Sequence, residues 1–413
     1  MSWSNERNLE LQARARQVIP GGMYGHQSVR PLPDGFPQFF SRAEGCRLWD
    51  VDGNEYVDMM CAYGPMLLGY QHPKVEAAAS EQARLGDTMT GPSEIMVDLA
   101  ERFVARIEHA DWAVFSKNGT DATSGALAIA RATTDRRTIL LAEGAYHGAA
   151  PWCTPFPAGT LEEARAHQIE FSYGDTESLD AAIRQAGDDL AGILVSPFRH
   201  DAAHDQTEPD AAFAHHVRER CTEHEALLIL DDVRAGLRLS FGGSWESLGV
   251  EPDLSAWGKS IANGHALSAL VGNERCREAA SKVFMTGSFW FQAVPMAAAL
   301  ATFDELSREP YVEHLIAMGT RLRDGWREQA ERHGVGIRQT GPVQMPMLLF
   351  DNDVRFRRAY RWVSEALRCG AYLHPWHNMF LSTAHQEADI DRVLEATETA
   401  FAVIAKDGSE PAA

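Results

Sequence analysis

The 413-residue sequence is poor in lysine. It has five, Lys74, Lys117, Lys259, Lys282 and Lys406, so 33 of its 38 basic residues are arginine. Arginine keeps its proton and forms no imine, whereas a desolvated lysine amine loses its proton and attacks carbonyls. One lysine stands among small and apolar residues: Lys259, in "PDLSAWGKSIANGHALSALVG", residues 252–272. Taken alone it reads as a surface lysine at a strand end, so its companions must decide.

Other absences narrow the class. The six cysteines (Cys46, Cys61, Cys153, Cys221, Cys276, Cys369) form no CxxC pair. That excludes the usual zinc sites and disulfide scaffolds, and no metal centre is expected. No apolar run reaches membrane-spanning length, and "MSWSNERNLELQARARQ" at the N-terminus lacks the apolar core of a signal peptide. A cytoplasmic protein is expected. Positive charge is in deficit, with a net charge of −20. Neither nucleic acid nor an anionic membrane is therefore expected as partner. The 45% hydrophobic and 23% charged content is that of an ordinary globular chain.

What is present alternates. "WAVFS", "RTILLAE", "LAGILVSP" and "ALLILDD" read as strands, separated by the helical patterns "TDATSGALAIARAT", "LDAAIRQAG" and "DAAFAHHVRERCTEHE". Such alternation predicts an α/β fold with a mostly parallel sheet and helices on both faces. "GCRLWDVDGNEYVDMM" predicts a strand–turn–strand near the start. "VQMPMLLFDN", "RAYRWVSEALRCG" and "EADIDRVLEATETAFAVIAKD" predict an α+β closing region.

Three elements suit one ligand. In "FSKNGTDATSGALAIARA" a strand ends, Asn118-Gly119-Thr120 turn, and a helix begins. First-turn N–H groups and the helix dipole favour a phosphate there, although Thr120 as a plain helix cap is the blander reading. In "ALLILDDVRAG" an apolar strand runs into two carboxylates, which at the carboxyl edge of a parallel sheet would face a ligand crevice. Such an aspartate holds a proton on a heterocyclic nitrogen, as pyridoxal phosphate requires; a metal ligand or a loop cap are the alternatives. Lys259 follows Asp231 by 28 residues, room for a loop, a crossover and one more strand. Two neighbouring strand ends would then present Asp231 and Lys259 to the same cofactor.

The ordered set "IPGG", "LWDVDGNEYVDM", "LGYQHP", "NGTDAT", "EGAYHG", "ILDDVRAGLR", "PDLSAWGKSIANG", "TGSFWFQAVPMAAALA" and "FLSTAHQEADID" resembles the class III aminotransferases of fold type I. Within them it is most similar to the glutamate-1-semialdehyde 2,1-aminomutase-like branch. The resemblance spans nearly the whole chain. It implies a large pyridoxal-phosphate-binding domain at residues 61–305 and a small domain built from 1–60 and 306–405. A disordered tail is expected at 406–413.

Carried over by position, Lys259 holds the cofactor as an internal aldimine, Asp231 pairs with the pyridine nitrogen and Val233 packs behind the ring. Gly119 and Thr120, with Asn118 where a serine is common, form the phosphate turn. Tyr146 stacks on the other face. Ser288 corresponds to a threonine reaching the phosphate of a neighbouring subunit, which implies a homodimer with shared active sites. Tyr24, Arg30, Tyr63 and Trp290 are candidate substrate residues, Arg30 as the nearest counterpart of the aminomutase's carboxylate-binding arginine. The chain departs from the family at Trp290-Phe291, where small residues are usual, and at Ser196-Pro197, where an acidic residue precedes proline. "HPWHNMFLS" lacks the glutamate expected of an aminomutase.

The resemblance thus implies an aminotransferase, moving an amino group between an amine or amino acid donor and a carbonyl acceptor. An intramolecular 2,1-aminomutase is the alternative, and an idle member of the fold acting as a binding partner is a third reading that the presence of Lys259 disfavours. His215-His216 reads as a solvated helix face and "HPWHN" as a loop at the site's rim. Arg199, His200 and Arg238 are open between structural and functional roles, and His26 joins Tyr24 as a candidate for the entrance.

Overall fold

A computed structural model describes residues 3–28, 31–33 and 35–407. The first three strands are β1 (Phe40–Glu44), β2 (Arg47–Asp50) and β3 (Glu55–Asp58). Seven follow: β4 (Trp112–Ser116), β5 (Thr138–Ala142), β6 (Gln168–Phe171), β7 (Leu190–Val195), β8 (Leu227–Asp231), β9 (Leu254–Trp257) and β10 (Ser268–Gly272). The last are β11 (Ile337–Thr340), β12 (Met347–Phe350) and β13 (Ala371–Tyr372).

The central sheet has the order β4-β10-β9-β8-β7-β5-β6. All its pairings are parallel except the two that β10 makes, with β4 and β9. Because β4 opposes β10, it runs in the same direction as the rest. The apolar runs seen in the sequence are what a sheet covered on both faces requires. Every residue of β5, β7, β8, β9 and β10 is buried. Alternation then sorts them: along β8, Leu228 and Leu230 enter one core cluster and Leu227 and Ile229 another. The helix Gly119–Thr134 packs on β9 and β10, and the helices Thr176–Ala186 and Ala211–Glu223 pack on β6 and β8 respectively.

The two ends of the chain meet in a second sheet, β1-β2-β3-β13. The short β13 lies parallel to β3, placing Ala371 opposite Val57 and Tyr372 opposite Asp58. β11 and β12 pair antiparallel as a separate two-stranded sheet. The helices Arg357–Arg368 and Glu387–Asp407 pack on each other over a core containing Trp326, Phe350, Trp362 and Phe401. The final helix runs on to Asp407, one residue past the start of the expected tail, because its apolar pattern continues through Ile404; residues 408–413 lie outside the described residues. So does Arg30.

The topology decides where chemistry can occur. The carboxyl ends of β4, β5, β7, β8 and β9 open on one edge of the central sheet, where ligands of such sheets bind.

Candidate active site

Past the end of β4, Asn118 precedes the helix Gly119–Thr134. Asp121 in its first turn accepts hydrogen bonds from the backbone N–H groups of Lys117 (3.1 Å) and Asn118 (2.9 Å). This fixes the turn while the next N–H groups, of Gly119 and Thr120, begin a helix and have no intrahelical acceptor. Gly119 is needed for space: a Cβ there would lie 2.7 Å from Val233 Cγ1. Gly148, at φ +130°, permits a second close approach, since a Cβ on it would collide with Thr120 Oγ1. Thr120 Oγ1 in turn accepts from the Ala149 N–H at 3.2 Å. The turn after β4 and the "YHG" loop after β5 are thus interlocked.

Strand alternation separates the two aspartates at the end of β8. Asp231, 5% exposed, lines the cavity; its Oδ2 takes the His147 Nδ1–H at 2.7 Å and its Oδ1 the Val233 N–H at 3.1 Å. Asp232 turns away. It accepts from the Ser244 backbone N–H at 2.9 Å and from the Ser244 hydroxyl, and burial pushes its carboxyl up to about 6.

Lys259 follows β9 after Gly258 and opens a short 3₁₀ turn, Lys259–Ala262. Its own φ is +47°, a conformation that disfavours side chains other than glycine's. Its Nζ donates to the Tyr63 carbonyl at 2.9 Å. Burial, then the guanidinium groups of Arg234 and Arg238, bring the amine down to about 7, with Asp231 opposing them. The imidazoles of His200 and His377 are held well below their ordinary range, chiefly by burial and next by Arg234. The cationic charge near the amine therefore comes from arginine.

These residues surround one cavity of about 300 Å³, lined by Asn118, Gly119, Thr120, Tyr146, Asp231, Val233 and Lys259 among others. Every cofactor residue expected from the sequence is in that lining except Ser288. Ser288 is exposed, in a turn between the helices Glu274–Lys282 and Ala293–Leu306, and Trp290 in the same turn is half-buried and also away from the cavity. Tyr24 is 74% exposed and does not line it. Tyr63 reaches Lys259 through its backbone rather than its ring. His200 lines the cavity, with its Nδ1 buried and without a hydrogen-bond partner among the described residues. His147 and Arg234 were not anticipated. The first sits beside Tyr146 in "YHG", and the second within "DDVRAG", so the motifs held the only signal.

Residues 31–396 match the family model of class III aminotransferases. The chain belongs to this family. It is 54% identical to the aminopentol aminotransferase of Sphingopyxis macrogoltabida, over 97% of this chain and 95% of that one. A glutamate-1-semialdehyde 2,1-aminomutase of Desulforamulus reducens is 31% identical over 98% and 100% of the two chains. The internal aldimine form of the Sphingopyxis sp. MTA144 FumI protein superposes with a TM-score of 0.96 at 53% identity, covering 97% of each chain. The fold expected from the sequence is the one observed. Of the two activities weighed there, the aminotransferase is favoured, and this class III aminotransferase depends on pyridoxal phosphate.

The cavity fits that group. It offers a buried carboxylate for a ring nitrogen, a helix start with close-approach glycines for a phosphate, and a primary amine for an aldehyde. Two buried polar atoms without partners among the described residues, His147 Nε2 and His200 Nδ1, belong to the same surroundings. A pH dependence follows from the amine. Only neutral amine attacks a carbonyl, and a lysine at about 7 rather than 10.5 is half neutral near pH 7. Capture of the cofactor by the apo-protein, followed by stopped-flow absorbance, should therefore rise with pH and reach half its plateau near 7. A midpoint near 10 would mean that the amine is not desolvated as described.

Proposed function

We propose that Lys259 carries the pyridoxal phosphate, that Asp231 keeps its ring nitrogen protonated, and that Val233 and Tyr146 enclose the ring. Gly119, Thr120 and Asn118 would hold the phosphate. When bound, the cofactor withdraws electrons from the substrate carbon that bears nitrogen, so that this carbon can lose and regain a proton. Lys259 Nζ, half neutral near pH 7, is the group placed to move that proton. His147 orients the Asp231 carboxylate. The observation that carries this reading is the convergence of Lys259, Asp231 and the Gly119–Thr120 turn on one cavity.

We also infer an amine donor similar to aminopentol, from the relative that shares about half of its residues with this chain, and a separate carbonyl acceptor. The cofactor-loaded protein should be yellow; adding the donor should bleach that visible band, and a carbonyl acceptor should restore it. Bleaching only by compounds recovered as their own isomers would instead indicate intramolecular transfer.

A homodimer with shared sites is proposed too. In the turn that carries Ser288, Phe289 is 59% exposed and nearby Phe284 91%, apolar surface that a second subunit would cover. Ser288 would then complete the partner's phosphate site and Trp290 its substrate wall. Mixing inactive Lys259→Ala subunits with Ser288→Trp subunits should restore activity, because one site of each mixed dimer escapes both defects. Verified mixed dimers without activity would refute the shared site. All six cysteines stand as free thiols, which favours a reducing cytoplasm.

A further inference from the structure

The stretch Cys61–Gly64 has a backbone that its residues do not favour. Cys61, Ala62 and Tyr63 have φ of 47°, 53° and 63° in succession, and Gly64 follows at 110°. Three consecutive residues with side chains in the left-handed region persist only where surroundings over-determine them, and such strain clusters at functional sites.

The surroundings here are specific. Asp58 accepts from the Met60 N–H at 2.8 Å and from the Tyr70 hydroxyl at 2.7 Å. The Tyr63 N–H returns to Met60 O, and the Gly64 N–H to Cys61 O. Arg238, fully buried, donates Nη1 to Gly64 O at 3.0 Å and Nε to Leu381 O at 3.4 Å. The Tyr63 ring is met edge-on by His26, His377 and His374 at centroid distances of 4.8, 5.5 and 6.2 Å. Gly64 leaves room for the lysine itself, since a Cβ there would stand 3.2 Å from Lys259 Cδ. Everything in the turn is held, and what it presents is the Tyr63 carbonyl, 2.9 Å from Lys259 Nζ.

We propose that this left-handed turn is a dock for the Lys259 amine, whose N–H the Tyr63 carbonyl receives whenever the lysine is not attached to the cofactor. The inference rests on Lys259 being the cofactor-bearing residue. Tyr63 is then a positioning residue that acts through its backbone. A carbonyl takes one N–H and leaves the nitrogen lone pair free, whereas a carboxylate partner would fix the amine as an ammonium ion. Asp231, the carboxylate closest in effect, is engaged by His147. The other groups facing the amine are Arg234, Arg238 and the imidazoles of His26, His200 and His377.

The scarcity of lysine makes the test direct, because the apo-protein has only five side-chain amines to resolve by ¹⁵N nuclear magnetic resonance. In the wild type the Lys259 amine protons should exchange with water at least roughly tenfold more slowly than those of exposed Lys406, since a hydrogen-bonded amine must break that bond first. Glycine tolerates φ +53° and proline does not. Ala62→Gly should therefore keep both the protection and the titration midpoint. Ala62→Pro, shown folded by circular dichroism, should lose the protection. Its Lys259 midpoint should also fall by about one pH unit, because an acceptor that favours the ammonium form has gone. An unprotected Lys259 amine in the wild type, which needs no variant to fold, or an unchanged midpoint in folded Ala62→Pro would overturn the dock. Treating the wild type with cofactor and borohydride separates the premise: a label away from Lys259 defeats the assignment of the lysine, whereas a label on Lys259 without protection defeats only the dock.

Discussion

Lys259→Ala is expected to yield a folded protein that no longer turns yellow with pyridoxal phosphate and whose amino transfer falls by roughly 10²–10⁴-fold from the lost proton transfer alone. Two of the other lysines are held as ion pairs, Lys74 with Glu305 and Lys282 with Glu278. Lys117 also lines the cavity and donates to the Ala266 carbonyl, so it is the lysine whose label must be looked for beside Lys259. Lys406 lies in the last helix. Lys259→Arg should fail as completely, because a guanidinium keeps the charge but neither forms an imine nor gives up its proton. A variant at 259 that retained the visible band would place the covalent link elsewhere.

Asp231→Asn is expected to leave the cofactor bound and to slow transfer on the order of 10²–10³-fold, the scale seen when one fixed electrostatic partner is removed from a reacting group. The carboxylate is buried, takes the His147 N–H and lines the cavity, so its charge is available to a protonated ring nitrogen. Asp232→Asn should keep activity within about tenfold, since Asp232 serves Ser244 and not the cavity. Burial already disfavours its charged form, so a neutral isostere should change stability by only about 0.5–1.5 kcal/mol, one hydrogen bond's worth. Steady-state rates and thermal melts of the two variants decide the matter. Interchanged outcomes would mean that the strand presents the wrong aspartate.

Much of this was legible before any coordinates. Apolar runs such as "LAGILV" and "LLILD" are long enough and β-branched enough to name buried parallel strands, and they fall where β7 and β8 lie. The scarcity of lysine singled out Lys259, and the turn at Asn118–Thr120 carried its own glycine. Less legible was anything that depends on distant pairing. The His147–Asp231 contact joins residues 84 apart, and Lys259 meets the Tyr63 carbonyl across 196. No local signal marks Cys61-Ala62-Tyr63 as left-handed, because none of the three is a glycine or an asparagine and tertiary contacts alone impose the conformation. The two-residue strand β13 is too short to announce itself; it forms because β3 offers it an edge. Arg234 was masked for a different reason: it lies in "DDVRAG" itself, but as one of 33 arginines beside two more conspicuous aspartates.

Lys259, a half-buried lysine, is the residue proposed to bear the cofactor. The measurement that tests this most directly is borohydride reduction of the yellow holoenzyme followed by proteolysis and mass spectrometry of the phosphopyridoxyl peptides. A single modified lysine is expected, in the peptide containing "SAWGKSIANG", at about one label per chain. A label on Lys74, Lys117, Lys282 or Lys406, or a yellow protein that bleaches without any labelled lysine, would contradict it.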